Sequence, residues 1–103
     1  AAYGNPYDWG LRAPAFIGMD VDRDALEEVA RALAQLPEVE LVAVCNGYFD
    51  LLVKVSLRST EDLYRFIMED LKRFPAIRDT QTLLVFRYFK HEPMRLLPEP
   101  GER

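Results

Sequence analysis

Residues 39–57 read VELVAVCNGYFDLLVKVSL. Two apolar, β-branched runs lie on either side of the Asn-Gly pair at 46–47. Asn-Gly between such runs is the strongest short-range signal for a β-hairpin, because both residues accept the positive φ of a tight turn. Tyr48, Phe49 and Asp50 follow the turn. Two aromatic rings and a carboxylate are unusual at the end of a strand pair, so this corner is the first candidate for a functional site.

Composition indicates an ordinary folded domain. The 103 residues suffice for one domain with a core, and a chain that is 50% hydrophobic and 29% charged is not disordered. A net charge of −4 argues against a nucleic-acid-binding surface. The single cysteine, Cys45, predicts a reducing compartment, the cytoplasm. No apolar run has the length of a membrane span, so no membrane partner is expected.

A strand and a helix are predicted before the hairpin. Residues 15–21 alternate between apolar and other residues, which predicts a half-buried strand. Asp22 or Asp24 is expected to cap the following helix, and Asp24 has Glu27 three positions later, as in a capping box. Pro37 ends this helix. Its apolar stripe consists of Leu26, Val29, Ala30 and Leu33.

A second helix and a last strand are predicted after the hairpin. Ser59 or Thr60 is the expected cap, and Pro75 ends the helix. A strand is expected over residues 77–89, followed by a proline-containing tail, 91–103, without regular structure. The stripe of the second helix consists of Leu63, Phe66, Ile67, Leu71 and Phe74.

A repeated sequence signal predicts the topology. Leu-Pro-Glu-Val at 36–39 and Phe-Pro-Ala-Ile at 74–77 are the same signal for a helix end and a strand start. A βαβ unit is thus written twice, which predicts an α+β, ferredoxin-like βαββαβ fold: a four-stranded antiparallel sheet with two helices on one face. We expect a hinge or linker arm at 1–14, the domain at 15–90, and the tail at 91–103.

The face of the sheet without helices is expected to be apolar. If the residues of 51–57 with odd numbers meet the helices, the residues with even numbers form this open face. It would carry Asp50, Leu52, Lys54 and Ser56, with Phe16, Val42 and Val44 beside them and either Leu84, Phe86 and Tyr88 or Leu83, Val85 and Phe89 from the last strand. Because such a face is too apolar for water, we predict a homodimer that buries roughly 1,600 Å² or more. The alternative is that these residues line the edge of a monomer core.

Three motifs resemble one known family. Residues 37–39, 47–50 and 80–82 read Pro-Glu-Val, Gly-Tyr-Phe-Asp and Thr-Gln-Thr. They resemble, in order and spacing, the Pro-x-Val, Gly-x-[Tyr/Phe]-Asp and Thr-x-Thr signatures of the C-terminal domain of the leucine-responsive/asparagine-responsive (Lrp/AsnC, "feast/famine") transcription regulators. The resemblance covers about residues 13–90.

This resemblance implies a ferredoxin-like effector-binding and oligomerisation domain without a cofactor. Dimers formed by the sheets are expected to assemble into octamers or higher rings. A small effector, typically an amino acid, would bind between subunits. The arm at 1–14 resembles the family hinge, and DNA would be contacted only through a helix-turn-helix domain that these 103 residues do not contain.

The chemistry of an amino acid indicates which residues would bind it. Asp50 is a candidate acceptor for the ammonium group, and the backbone N–H groups of the 47–49 turn are candidates for the carboxylate. Thr80 and Thr82 offer hydroxyl groups from the last strand. The simpler interpretation is that Asp50 stabilises its own turn and that Thr80 and Thr82 are ordinary strand formers. The predicted effector-binding set is Gly47, Tyr48, Phe49, Asp50, Thr80 and Thr82.

Other chemistry is weakly supported. His91 has no neighbouring histidine or cysteine, which argues against a metal site. Cys45 is expected to be a small buried residue and not a nucleophile. Helix capping explains the acidic residues at 20–24 more simply than a cation site. A small enzyme is the alternative from another class, but only Asp50 and His91 are available for acid–base work, so we predict no catalytic residue.

Overall fold

Four strands and two helical segments follow one another in the predicted order. The computed structural model describes residues 13–91. The elements are β1 (Ala13–Val21), a 3₁₀ turn (Arg23–Ala25), α1 (Leu26–Leu33), β2 (Val39–Val44), β3 (Leu51–Leu57), α2 (Thr60–Arg65), a π-helical turn (Phe66–Asp70), a 3₁₀ turn (Leu71–Arg73) and β4 (Ile77–Leu84). The remainder of the predicted arm and of the tail lies outside the described residues.

The sheet has the order β2-β3-β1-β4, and every neighbouring pair is antiparallel. The two central strands are therefore the first strand of each βαβ unit, and the two edge strands are the second. This arrangement confirms the predicted ferredoxin-like fold.

The core lies between the sheet and the two helical segments. The odd-numbered residues from 15 to 21 of β1 and from 51 to 57 of β3 are buried there, as their alternation predicts. The stripe residues of both helical segments are buried with them or half-buried against them. The buried apolar residues are Ala15, Ile17, Met19, Val21, Val29, Leu33, Leu51, Val53, Val55, Leu57, Leu63, Phe66 and Leu71. Both helices thus cover the same face of the sheet, and the other face carries no helix among the described residues.

One of the two predicted helix caps forms. The Ser59 hydroxyl oxygen accepts a hydrogen bond from the Asp62 backbone N–H (3.1 Å), so Ser59 is the cap of α2. The capping box at Asp24 is wrong, because Asp24 lies inside the 3₁₀ turn and Ala25 precedes α1. The carboxylate of Asp22 instead accepts a hydrogen bond from Arg78 (3.1 Å) beside β4.

A β-bulge reverses the predicted faces of β2. Val39 pairs with Val55, but the register shifts before Leu41, so that Val42 pairs with Val53 and Val44 with Leu51. Because directly opposite residues share a face, Val42 and Val44 lie on the helix side, and placing them on the open face was wrong. The extra residue at position 40 moves every later side chain of the strand to the other face.

The last strand is shorter than predicted. It ends at Leu84, which is opposite Ala15, and residues 85–89 are not part of it. Val85 would next face Pro14, which has no N–H to donate to a neighbouring strand. Extending the strand to Phe89 was therefore wrong. Within β4, Leu83 lies opposite Phe16 on the open face and Leu84 on the helix side.

Within residues 13–91, no helix is long and apolar enough to cross a lipid bilayer.

Candidate functional site

The site predicted from the sequence centres on the loop between β2 and β3. This loop spans residues 45–50 and is closed by a hydrogen bond from the Cys45 N–H to the Asp50 carbonyl oxygen (2.9 Å). Gly47 adopts φ +138°, a conformation that residues with side chains rarely adopt. Cys45 is exposed, so the expectation that it is buried was wrong.

Asp50 is held by β1 through two hydrogen bonds. Its backbone N–H donates to the Met19 carbonyl oxygen (2.9 Å). Its carboxylate Oδ2 accepts from the Val21 N–H (2.8 Å), a bond between residues 29 positions apart. The side chain therefore fastens the hairpin corner to the end of β1, which is more than the stabilisation of its own turn. Within the described residues, Oδ1 has no hydrogen-bond partner.

The two aromatic residues of the corner point in different directions. Tyr48 is 96% exposed. Phe49 is half-buried, and its ring lies against Gly18 of β1. Because Ile17 and Met19 face the helices, this side of Gly18 belongs to the open face. Of these two residues of the predicted effector-binding set, Tyr48 is the more exposed, at the tip of the loop.

Thr80 and Thr82 lie on the edge strand β4, opposite Met19 and Ile17. These pairings put both threonines on the helix side of the sheet. Thr80 is on the far side of β1 from Asp50, at the same end of the sheet, whereas Thr82 is two residue pairs further along the strand. Within one chain, the structure therefore brings Gly47, Tyr48, Phe49 and Asp50 together and leaves the threonines apart from them.

Two surface grooves lie outside the corner. A groove of about 320 Å³ includes Thr80 and is otherwise formed by Ile67, Leu71, Lys72, Phe74, Pro75, Ile77, Arg78 and Asp79. A second groove, of about 450 Å³, is lined by Glu38, Leu57, Arg58, Asp62, Arg65, Phe66, Glu69 and Asp70. Residues 47–50 line neither groove, so an effector at the corner needs walls that these two grooves do not provide.

His91, the other residue considered for chemistry, packs against an aromatic ring. The ring of His91 stacks on Tyr88, with centroids 4.3 Å apart. In the part of the chain from 13 to 91, no group of three or more histidine, cysteine, aspartate or glutamate residues is arranged to hold a metal ion.

Sequence reasoning missed two groups that build the corner, Gly18 and the Val21 N–H. A glycine inside a strand often marks a close approach of another group, so Gly18 carried a readable signal. The bond between Asp50 and Val21 has no comparable signal, because it depends on the register of β1 against β3.

By its fold, the chain is a ferredoxin-like α+β domain. A family model described as "Lrp/AsnC ligand binding domain" matches residues 14–94. The chain belongs to the Lrp/AsnC family.

The relatives agree with this assignment. An uncharacterised HTH-type transcriptional regulator of Pyrococcus abyssi is 34% identical over 85 residues, which are 82% of this chain and 54% of that protein. The crystal structure of FFRP-DM1 is 35% identical, with a TM-score of 0.68, over 72% of this chain and 99% of that one. A transcriptional regulator of Neisseria meningitidis, solved as a complex with L-Met, is 26% identical, with a TM-score of 0.74, over 88% of this chain and 60% of that one.

The chain spans about half the length of the Pyrococcus abyssi regulator. The family model describes a ligand-binding domain, and this relative is named as a transcriptional regulator. The similarities therefore support a regulatory ligand-binding domain and not an enzyme.

Proposed function

We propose that this domain senses an amino acid for a transcription regulator. The effector binds at the corner formed by residues 47–50, at a seam between subunits, and shifts the equilibrium between assemblies of the protein. DNA is contacted by a helix-turn-helix domain outside these 103 residues. This role places the protein in the cytoplasm together with the DNA.

The observation that carries the proposal is the carboxylate of Asp50. One oxygen is held by Val21, so the side chain is already positioned, while Oδ1 is left to accept a bond from an ammonium group. A charge-assisted hydrogen bond of this kind contributes roughly 1.5–3 kcal/mol. The Neisseria meningitidis relative in complex with L-Met supports an amino acid as the effector class.

The seam between subunits is proposed from the open face of the sheet. Phe16, Leu41 and Leu52 lie on it, and Leu83 on it is 57% exposed. A sheet face with this many apolar side chains is expected to be covered. A second copy of the chain covers it in the proposed homodimer, and dimers assemble further into an octamer or a higher ring. Thr80 and Thr82 lie on the helix side of the sheet, so in this proposal they contribute to the site only where one dimer meets another.

Isothermal titration with each of the twenty amino acids tests the effector. We expect one or a few to bind, and Asp50→Ala to weaken that binding at least tenfold, where each decade corresponds to about 1.4 kcal/mol.

Asp50→Asn is the matched control, because its amide oxygen can still accept from the Val21 N–H while the charge is lost. We expect Asp50→Asn to keep the wild-type melting temperature more closely than Asp50→Ala, yet to bind the amino acid as weakly. If Asp50→Ala bound as tightly as the wild type, Asp50 would not be the ammonium acceptor.

A second candidate is a stand-alone oligomeric module that binds an amino acid and has no DNA-binding domain of its own. The observation in its favour is that the similarity to FFRP-DM1 covers 99% of that chain. An immunoblot of the source cells distinguishes the two candidates. A band of the size of this chain supports the module, and a longer band supports the regulator.

A further inference from the structure

Asn46 and Gly47 lie at the tip of the loop between β2 and β3, and both residues are exposed. The loop is closed at its ends, where the Cys45 N–H donates to the Asp50 carbonyl oxygen (2.9 Å). Between these ends, residues 46–48 bend without the backbone hydrogen bond of a tight turn. The hydrogen bonds that fix the corner to β1 begin at Asp50, so they do not hold the tip.

Two groups at this tip, the side-chain amide of Asn46 and the backbone N–H of Gly47, have no hydrogen-bond partner within residues 13–91. Gly47 has no side chain, and no atom lies within 4 Å of the position that a Cβ would take. A group that approaches the Gly47 nitrogen therefore meets neither a competing hydrogen bond nor a steric obstacle. Asparagine is also one of the residue types that are chemically labile in proteins.

We propose that Asn46 is a site of spontaneous modification, at which the backbone nitrogen of Gly47 attacks the side-chain carbon Cγ of Asn46. Hydroxide takes the proton of the Gly47 N–H, the bond between this nitrogen and Cγ forms, and the bond between Cγ and Nδ2 breaks. Nδ2 leaves as ammonia with a proton from water, which regenerates the hydroxide. Residues 46 and 47 then share a five-membered succinimide ring. Water opens this ring at one of its two carbonyl carbons, so the complete reaction takes up one water molecule and releases one ammonia.

The two ways of opening the ring give different chains. Opening at Cγ leaves an aspartate on a normal backbone. Opening at the main-chain carbonyl leaves an isoaspartate, whose backbone runs through Cβ and Cγ and is one atom longer. Either product changes the formal net charge from −4 to −5 (−4 minus 1). The new carboxylate stands in the loop that ends at Asp50, and the isoaspartate also lengthens the chain between Cys45 and Asp50, the two residues that close the loop.

The sequence contains an internal control for this chemistry. The only other asparagine among the 103 residues is Asn5, and Pro6 follows it. Because proline has no backbone N–H to lose, the ring cannot form at Asn5 by this route. Asn46→Gln is the matched variant, since it keeps a primary amide at position 46 but would have to form a six-membered ring, which closes more slowly.

The test is incubation of the folded chain at physiological temperature and pH, beside a synthetic peptide of residues 32–54 kept unfolded in guanidinium chloride. Tryptic mapping by mass spectrometry follows the conversion of amide to acid, and an isoaspartyl methyltransferase measures the isoaspartate. We expect Asn46 of the folded chain to give both aspartate and isoaspartate at a rate within about tenfold of the peptide's, because an exposed loop needs little opening. Asn5 and the Asn46→Gln variant should remain unchanged over the same period.

Conversion of the folded chain more than about tenfold slower than that of the peptide would overturn the inference, because the loop would then have to open at a cost above about 1.4 kcal/mol. Reaction through globally unfolded chains alone would be slower by about a thousandfold or more, so it is distinguished from reaction in the folded loop. Aspartate without isoaspartate would also overturn the inference, as would equal conversion of Asn5, because neither result passes through the ring at Gly47. None of these outcomes depends on whether an amino acid binds at the corner.

Discussion

At the scale of single residues, the corner of the hairpin is held by backbone groups. The N–H groups of Val21 and Asp50 and the carbonyl of Met19 join it to β1. A buried or half-buried backbone group that loses its partner costs free energy, so these bonds fix the position of the Asp50 carboxylate before any ligand arrives.

The candidate site was predictable only in part, because the bonds that hold it join residues far apart in the sequence. Asp50 is identifiable from its type and its place in a motif, and Gly47 from the turn. The separation of Thr80 and Thr82 from the corner was not, because it depends on which strand lies at the edge and on which face of the sheet each threonine points to. The position of Phe49 depends on a contact between residues 31 positions apart (49 minus 18).

Gly47 is expected to be required for its conformation alone. No atom lies within 4 Å of a Cβ placed on it, but its φ of +138° is strained for any residue with a side chain. We therefore expect Gly47→Ala to lower the free energy of unfolding by about 1–3 kcal/mol in urea denaturation. Asn46→Ala, in the same exposed loop, should stay within about 0.5 kcal/mol of the wild type. Equal effects of the two substitutions would contradict this account of Gly47.

At the scale of elements, local periodicity specified most of the fold. The alternating apolar residues of β1 and β3 are buried as predicted, and the stripe residues of the two helical segments are buried or half-buried against them. The errors concern the faces of β2 and the length of β4, because both depend on the strand with which each one pairs. The bulge at Glu40 is set by pairing with β3, and the end of β4 is set by Pro14 of β1.

The π-helical turn Phe66–Asp70 has a packing explanation. Phe66 and Leu71 are both buried, although residues five positions apart in a regular α-helix point about 140° apart. A wider turn brings such residues closer to one face. The helical run can therefore direct both side chains into the core.

The cap of α2 provides a test at this scale. The sequence left Ser59 and Thr60 as alternatives, and the hydroxyl of Ser59 is the one that accepts from the Asp62 N–H. We expect Ser59→Ala to lower the free energy of unfolding by about 1 kcal/mol. For a domain of this size, this corresponds to a melting temperature lower by about 4–8 °C. Thr60→Ala is the control, and a melting temperature lowered equally by both substitutions would contradict the assignment.

At the scale of the whole molecule, the sheet separates two environments. Its helix side holds the core, and its open side carries Phe16, Leu41, Leu52, Leu83 and the ring of Phe49. One charged pair also lies at this side, where Lys54 is 3.4 Å from Glu40 and its side chain is 16% exposed. A partner must therefore match one ion pair as well as an apolar surface, which favours a defined orientation.

The mass of the protein in solution is the most direct test of the claim that a second chain covers the open face of the sheet. Sedimentation equilibrium of the wild type is expected to give twice the mass of one chain, or a multiple of that value. Leu83→Asp places a carboxylate on the open face, and we expect it to weaken the dimer at least about 100-fold, or roughly 2.8 kcal/mol. Tyr64→Asp, at an exposed position on α2, should leave the dimer intact. A wild type that stays monomeric at concentrations of hundreds of micromolar would contradict the account.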